Sequence, residues 1–135
     1  MKHREDIARF LQAKKIAVVG ASTQRNKFGN KVLRCYMEHN YDVIPVNPGE
    51  DEIEGLPCVA SVAELPPEVE ALSIITPPSV TLEVVKQAIS KGIKHVWMQP
   101  GAEGAEAVAL CLQNDINTIA DGSCLLVELN FSGGH

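Results

Sequence analysis

The sequence lacks several features that would assign it to whole classes of protein. No apolar run reaches membrane-spanning length, and the charged opening MKHREDIARFLQAKK is not typical of a secretory signal peptide. Basic residues do not dominate, because 12 Lys and Arg stand against 17 Asp and Glu for a net charge of −5. This balance argues against a general nucleic-acid binder. We therefore expect a cytoplasmic protein that binds neither membranes nor nucleic acid.

The cysteines form no metal-binding or disulfide pattern. Cys35, Cys58, Cys111 and Cys124 are scattered, without a C-x-x-C pair or a nearby histidine cluster. We expect them to be reduced thiols, with no zinc site and no disulfide framework. Neither a Ser-His-Asp nor a paired-carboxylate arrangement can be recognised from spacing. We therefore predict no catalytic residue and no metal site.

What the sequence does contain is the length and composition of one globular domain. Of its 135 residues, 45% are hydrophobic and 21% are charged, which is typical of a chain that buries its own core. We found no linker, internal repeat or low-complexity segment that would divide it. We predict a single domain over residues 1–135, with an N-terminal helix at 1–13 and a C-terminal extension at 124–135.

Strand-like and helix-like segments alternate along the chain. Apolar, β-branched runs predict buried strands at residues 14–20, 42–46, 71–76, 94–99 and 116–120. Helical spacing follows after Gly29, over 105–112, and after Ser79, which can cap a helix that Gly92 ends. The loop-rich segment 50–67 is expected to hold a minor strand at Val59 and a small helix near 62–65. This alternation predicts an α/β fold with a Rossmann-like, doubly wound and mostly parallel sheet.

Four short loops of small and polar residues directly follow strands: residues 20–22 (GAS), 47–49 (NPG), 76–79 (TPPS) and 99–101 (QPG). Turns in general favour such residues. Since the carboxyl ends of parallel strands lie along one edge, however, four such loops together favour a binding crevice. The helix that starts near Gly29 would present its positive end there, and Lys27, with Arg25 as an alternative, would add charge. We therefore predict a ligand that carries phosphate.

The first of these loops does not match the dinucleotide fingerprint G-x-G-x-x-G, because Ser22 stands at the second glycine. An NAD site also needs an acidic residue at the end of the second strand, and here Asn47 occupies that position. Glu50 and Asp51 follow slightly later and keep NAD as a weak alternative. A neutral strand end suits a ribose that bears its own phosphate, which is found in both coenzyme A (CoA) and NADP.

The segments GASTQRNKFGNKVL, VIPVNPGEDEIEGLPC, ITPPSV and WMQPGAE resemble the small CoA-binding proteins often called YccU-like. These are similar in turn to the amino-terminal domain of the succinyl-CoA synthetase alpha subunit. The resemblance covers Lys15 to Glu128 and implies a Rossmann-like fold that binds CoA. It also implies the contacts, which are Gly20, Ala21, Ser22, Lys27, Phe28, Gly29 and Asn30 around the phosphates, Val46, Asn47 and Pro48 at the adenosine end, and Thr76, Pro77, Pro78, Gln99, Pro100 and Gly101 along the rest of the groove.

One position departs from the family pattern. Relatives usually carry an Arg-Cys pair after the last core strand, whereas this chain has Ser123 before Cys124. Cys124 could meet the CoA thiol, although a free cysteine is more often a small buried hydrophobe.

We interpret the sequence as a non-catalytic module that binds CoA or acyl-CoA and acts as a carrier, a sensor or a partner subunit; it does not indicate the protein partner. A CoA ligase of the synthetase type needs a phosphorylated histidine, which the resemblance places in a second domain. We expect no substitute for it among His3, His39, His95 and His135. The alternatives are an NADP-linked or other nucleotide-dependent enzyme, or an interaction domain that has lost its ligand.

Overall fold

The computed structural model describes residues 2–131, which fold around a five-stranded parallel sheet. The strands are β1 (Lys15–Val19), β2 (Asp42–Val46), β3 (Glu52–Ile53), β4 (Leu56–Pro57), β5 (Ala71–Ile74), β6 (His95–Met98) and β7 (Asn117–Ile119). The helices are α1 (Lys2–Leu11), α2 (Phe28–Glu38), α3 (Pro78–Lys91), α4 (Ala105–Gln113) and α5 (Leu125–Glu128), with a 3-10 turn at Val62–Glu64. Within this range no helix has the length and apolar character needed to cross a membrane.

The order of the strands in the main sheet is β2-β1-β5-β6-β7, and neighbouring strands are parallel. The chain first winds outward from β1 to β2 and then returns to the other side of β1 through β5. The switch point of the sheet therefore lies between β1 and β5, where open α/β sheets form their ligand crevice. This topology confirms the predicted doubly wound, Rossmann-like fold.

Helices cover both faces of the sheet because its central strands are apolar on both sides. In β1, Ala17 and Val19 pack with residues of α3 and α4. Ile16 and Val18 point to the opposite face and pack with residues of α1, α2 and α5. Such burial on both faces explains why the sequence shows continuous apolar runs instead of alternation.

Trp97 of β6 joins three parts of the structure. Its side chain is fully buried and packs edge-on against Phe10 of α1, with ring centroids 5.4 Å apart. Its indole Nε1 donates a hydrogen bond of 3.0 Å to the carbonyl oxygen of Ser123. The N-terminal helix and the segment after β7 are therefore both attached to the sheet through one side chain.

Helix α3 starts after Pro77 and is ended by Gly92. The prediction that Ser79 caps α3 was wrong, because Pro77 is the N-cap of α3 and Pro78 occupies its first turn. Proline suits this position, since its fixed φ fits a helix and its missing N–H would have no partner there. The helix does end at Gly92, which adopts a left-handed φ of 76°.

The loop-rich segment 50–67 contains more structure than we predicted. Val59 forms an isolated parallel bridge with Val46 instead of the predicted minor strand, and the small helix is the 3-10 turn at 62–64. The antiparallel hairpin of β3 and β4 was not predicted.

The predicted extension at 124–135 contributes α5, whose Leu125 is fully buried. Residues 132–135, which include His135, lie outside the described residues. The side chain of His3 also lies outside them.

Candidate functional site

A cleft of about 210 Å³ opens at the carboxyl ends of β1 and β5, at the switch point of the sheet. Five of the residues predicted for the site line it, namely Gly20, Val46, Asn47, Pro48 and Thr76. The loops after β1, β2 and β5 thus meet at one cavity, as the topology predicts. The opposite wall was not predicted and consists of Ala60, Ser61, Val62, Val80, Glu83, Val84 and Gln87.

Gly20 brings the end of β1 close to the end of β5. Its φ is +96°, and a β-carbon there would lie 3.2 Å from the carbonyl carbon and oxygen of Ile75. Its N–H donates to the Val46 carbonyl oxygen at 3.1 Å. Both the backbone conformation and the lack of space therefore favour glycine at this position.

The start of α2 packs directly on the loop between β1 and α2 (residues 20–27, the β1–α2 loop). A β-carbon on Gly29 would lie 2.1 Å from the Gly20 carbonyl oxygen, so only glycine fits there. The N–H groups at the start of a helix carry the positive end of its dipole. That of Asn30 donates to the Lys27 carbonyl oxygen at 3.1 Å, which leaves those of Phe28 and Gly29 to be considered for a ligand. Lys27 is the N-cap residue of α2 and is exposed. The amino end of α2 is therefore positioned to bind an anion beside the cleft.

Two asparagine side chains hold the β1–α2 loop from either side. Asn47 Nδ2 donates to the Ala21 carbonyl oxygen at 2.8 Å, and Asn47 Oδ1 accepts from the Gly49 N–H at 2.7 Å. Asn30 is buried, and its Nδ2 donates to the Ser22 carbonyl oxygen at 2.8 Å. Both amides were predicted as ligand contacts, and the structure gives each of them a role in fixing the loop.

The remaining predicted residues lie at the same edge but differ in accessibility. Pro77 and Pro78 are exposed at the start of α3, and Pro100 and Gly101 are exposed in the turn after β6. The loop that follows this turn contacts α3, because a β-carbon on Gly104 would lie 3.4 Å from the Pro78 side chain. Phe28 is half-buried in the first turn of α2.

Gln99 corrects one sequence prediction. Its side chain does not line the groove, because it is fully buried and both of its polar atoms are used internally. Nε2 donates to Ser73 Oγ at 3.0 Å, and Oε1 accepts from the Leu125 N–H at 2.9 Å. A buried amide must be hydrogen-bonded in this way, and here the bonds attach α5 to the sheet.

The cysteines differ in burial, and burial raises the pKa of a thiol. Burial raises the pKa of the Cys35 thiol to about 12 and that of Cys111 to about 11. Both lie on helix faces in the core, as predicted. Burial also raises the pKa of Cys58, which is half-buried, and Cys124 is the half-buried N-cap of α5. No group of three or more metal-ligating side chains occurs in residues 2–131.

The sequence does contain a signal for the wall of the cleft that was not predicted. Val80, Val84 and Gln87 stand at i, i+4 and i+7 of α3 and so share one helix face. Val84 also belongs to the hydrophobic core, so α3 packs on the sheet and lines the cleft at the same time.

Comparisons with known proteins agree with this geometry. A family model described as a CoA binding domain matches residues 14–130. A solved structure of a conserved hypothetical protein from Pyrococcus furiosus is 43% identical and superposes with a TM-score of 0.81, covering 85% of this chain and 98% of that one. The uncharacterized protein YneT of Bacillus subtilis is 26% identical over 119 residues, which are 87% of this chain and 88% of YneT.

Larger proteins contain a similar segment. The alpha subunit of acetate–CoA ligase [ADP-forming] II from Pyrococcus furiosus is 34% identical over 88 residues, which are 64% of this chain and 19% of that subunit. The chain spans between 12% and 19% of the length of the acetate–CoA ligases and the trans-feruloyl-CoA synthase that it matches. Because the family model covers nearly the whole fold and the cleft lies at its switch point, the chain belongs to the CoA binding domain family.

Proposed function

We propose that the protein binds coenzyme A, or an acyl-CoA, across the crevice at the carboxyl edge of the sheet, and that it performs no chemistry itself. The observation that carries this proposal is the packing of Gly29 on Gly20, which places the amino end of α2 beside the 210 Å³ cleft. An anion site and an apolar cleft in contact suit a ligand that joins phosphates to an aromatic base.

The cleft suits the adenine base. Val46, Val62 and Val84 give it apolar walls, and Ser61 and Glu83 add polar atoms at its lining. Its volume suits one flat ring better than a whole nucleotide. The neutral Asn47 at the end of β2 leaves room for a ribose that carries a phosphate, where an acidic residue would repel it.

The phosphates then extend along the β1–α2 loop. The N–H groups of Phe28 and Gly29 at the start of α2 would donate to their oxygens, and the exposed ammonium of Lys27 would add a charge-assisted contact. The pantetheine arm would leave along the loops after β5 and β6, towards Pro78 and Pro100. This route ends near Cys124, since Gln99 binds the neighbouring Leu125 N–H.

A binding role is supported by what the described histidines contact. His39 Nδ1 lies 2.8 Å from the Cys35 carbonyl oxygen, and His95 Nδ1 lies 3.0 Å from the Asn117 side-chain nitrogen. Both rings are thus used in structural contacts away from the cleft. A carrier, a sensor or a subunit that supplies CoA to a partner enzyme would need no catalytic group of its own.

The test compares four ligands by calorimetry: CoA, dephospho-CoA, NADP and NAD. We expect CoA to bind most tightly and NAD most weakly. Dephospho-CoA should be weaker than CoA, because it lacks the ribose phosphate that the neutral strand end accommodates. Tighter binding of NADP than of CoA would favour the nucleotide-dependent enzyme, and binding of none of the four would favour an interaction domain without a ligand. Incubation of bound acyl-CoA with the protein should leave the thioester intact.

A further inference from the structure

Glu54 contacts the β1–α2 loop although it lies in a hairpin about thirty residues later in the chain. Its Oε2 accepts a hydrogen bond of 2.9 Å from Asn30 Nδ2. The same oxygen lies 3.3 Å from Arg25 Nε in an ion pair. The carboxylate therefore joins the middle of the loop to the first turn of α2.

These contacts are part of a closed ring of four residues, in which Arg25 takes part through both its side chain and its carbonyl oxygen. Arg34, which is buried, donates from Nε to Asn30 Oδ1 at 2.6 Å and from Nη2 to the Arg25 carbonyl oxygen at 2.9 Å. Asn30 also donates to the Ser22 carbonyl oxygen. The loop is thus attached at both Ser22 and Arg25, and Glu54 supplies the negative charge of the ring.

Glu54 adopts a backbone conformation that is unfavourable for glutamate. Glu54 and Gly55 form the turn between β3 and β4, with φ values of 52° and 80°. Turns with two positive φ angles strongly prefer Asn, Asp or Gly at the first position, and Glu adopts this conformation at a cost. A residue that is unfavourable for the turn and yet completes a partly buried network of side chains points to a role for its carboxylate.

We propose that Glu54 is a positioning residue, which holds the β1–α2 loop in the conformation that receives the phosphates. This role rests on the proposed binding of CoA at the amino end of α2. Glu54 does not line the cleft and acts through Asn30 and Arg25. Without its carboxylate the loop loses its ion pair at Arg25, and Asn30, which bonds Ser22, loses a partner. Part of the binding energy is then spent on ordering the loop.

The decisive variant is Glu54→Asn, because asparagine suits the turn but is too short to reach the loop. We expect its free energy of unfolding to be equal to or above that of the wild type. Amide hydrogen exchange over residues 22–27, measured without ligand, should become faster. The affinity for CoA should fall about tenfold, as expected for the loss of a charged hydrogen-bond network.

Three further variants separate the carboxylate from the turn. Glu54→Gln keeps an acceptor for Asn30, so it should bind CoA more tightly than Glu54→Asn and less tightly than the wild type. Arg25→Ala should weaken binding, and adding Glu54→Gln to it should cost less than the sum of the two changes. The matched control is Glu52→Gln, which removes an exposed carboxylate from the same hairpin and should change neither exchange nor affinity.

The two proposals fail in different ways. If the wild type binds no CoA, the proposed function is wrong, while the exchange of residues 22–27 in Glu54→Asn still tests whether Glu54 positions the loop. If exchange in that variant equals that of the wild type, the positioning role is wrong even where CoA binds. An increased affinity in Glu54→Gln would also overturn it, since Glu54 would then withhold Arg25 from the ligand.

Discussion

Gly29 lies so close to Gly20 that a β-carbon on Gly29 would stand 2.1 Å from the Gly20 carbonyl oxygen. Because the obstacle is backbone, the helix or the loop must move to accept any side chain. We therefore expect Gly29→Ala to destabilise the protein by about 2 kcal/mol or more, measured by urea unfolding, and to abolish binding of CoA. Gly104→Ala is the control, since its β-carbon would make an ordinary contact of 3.4 Å. Equal stability of the two variants would contradict the close packing.

Gly20 and Gly101 allow the effect of close packing on stability to be separated from the effect of backbone strain. Their φ values are nearly equal at +96° and +97°, but only the β-carbon on Gly20 would meet neighbouring atoms within 4 Å. Gly20→Ala and Gly101→Ala should share a loss of about 1 kcal/mol from the left-handed conformation. Gly20→Ala should lose more stability in thermal unfolding and should also lose affinity for CoA. If both variants behave alike, the loops after β1 and β5 are not closely packed.

Lys27 tests the position of the phosphates. Lys27→Ala should lower the affinity for CoA about tenfold, since hydrogen bonds to charged groups contribute about 1.5–3 kcal/mol. Its free energy of unfolding should hardly change, because the side chain is exposed. Lys14→Ala is the matched control, as it removes the same charge at the other end of β1. Unchanged affinity in Lys27→Ala would show that the phosphates do not bind at the amino end of α2.

His95 should make stability depend on pH. Burial lowers the pKa of its ring, an effect that Glu70 opposes and that Arg9 and Lys94 reinforce. A histidine with a lowered pKa in the folded state binds fewer protons there than in the unfolded state, so stability falls as the pH drops below the unfolded value of about 6.5. Urea unfolding at pH 7.5, 6.5 and 5.5 should show a steeper loss for the wild type than for His95→Gln. His39→Gln is the control and should keep the steep loss.

Cys124 should be the most reactive of the four cysteines if the CoA thiol reaches it as proposed. The Cys124 thiolate would attack oxidised CoA, form a mixed disulfide and release one CoA thiolate, which adds the mass of one CoA. Cys35 and Cys111 should react far more slowly, because burial raises the pKa of their thiols to about 12 and about 11. Intact-protein mass spectrometry should lose the adduct in Cys124→Ser and keep it in Cys58→Ser. The reverse pattern would show that mere exposure decides reactivity.

Much of the fold and the edge that carries the site could be predicted from the sequence. Continuous apolar runs such as that of β1 identify strands buried on both faces, and parallel strands must place the loops at Gly20, Asn47 and Thr76 along one edge. The hairpin of β3 and β4 could not be predicted, since each strand has only two residues and shows no periodicity.

The contacts of buried polar residues could not be predicted from the sequence. Gln99 and Asn30 look like ligand contacts because they follow a strand and begin a helix, and nothing local shows that their amides are used internally. Their partners, Ser73 and Glu54, are more than twenty residues away in the chain. Burial of a polar side chain depends on such distant partners, so sequence reasoning places these residues at the right edge without showing which partners their amides bond.

Trp97 also has a spectroscopic consequence. It is the sole tryptophan of the sequence and lies fully buried against Phe10, with Nε1 bonded to the Ser123 carbonyl oxygen. It packs with the residues of α1, α2 and α5, whereas the walls of the cleft belong to the cluster on the opposite face of the sheet. Its emission therefore reports whether the N-terminal helix and the segment after β7 stay docked. If CoA binds in the cleft as proposed, the sheet separates this single fluorophore from the adenine, and we expect its emission to follow unfolding in the presence of CoA without interference from the base.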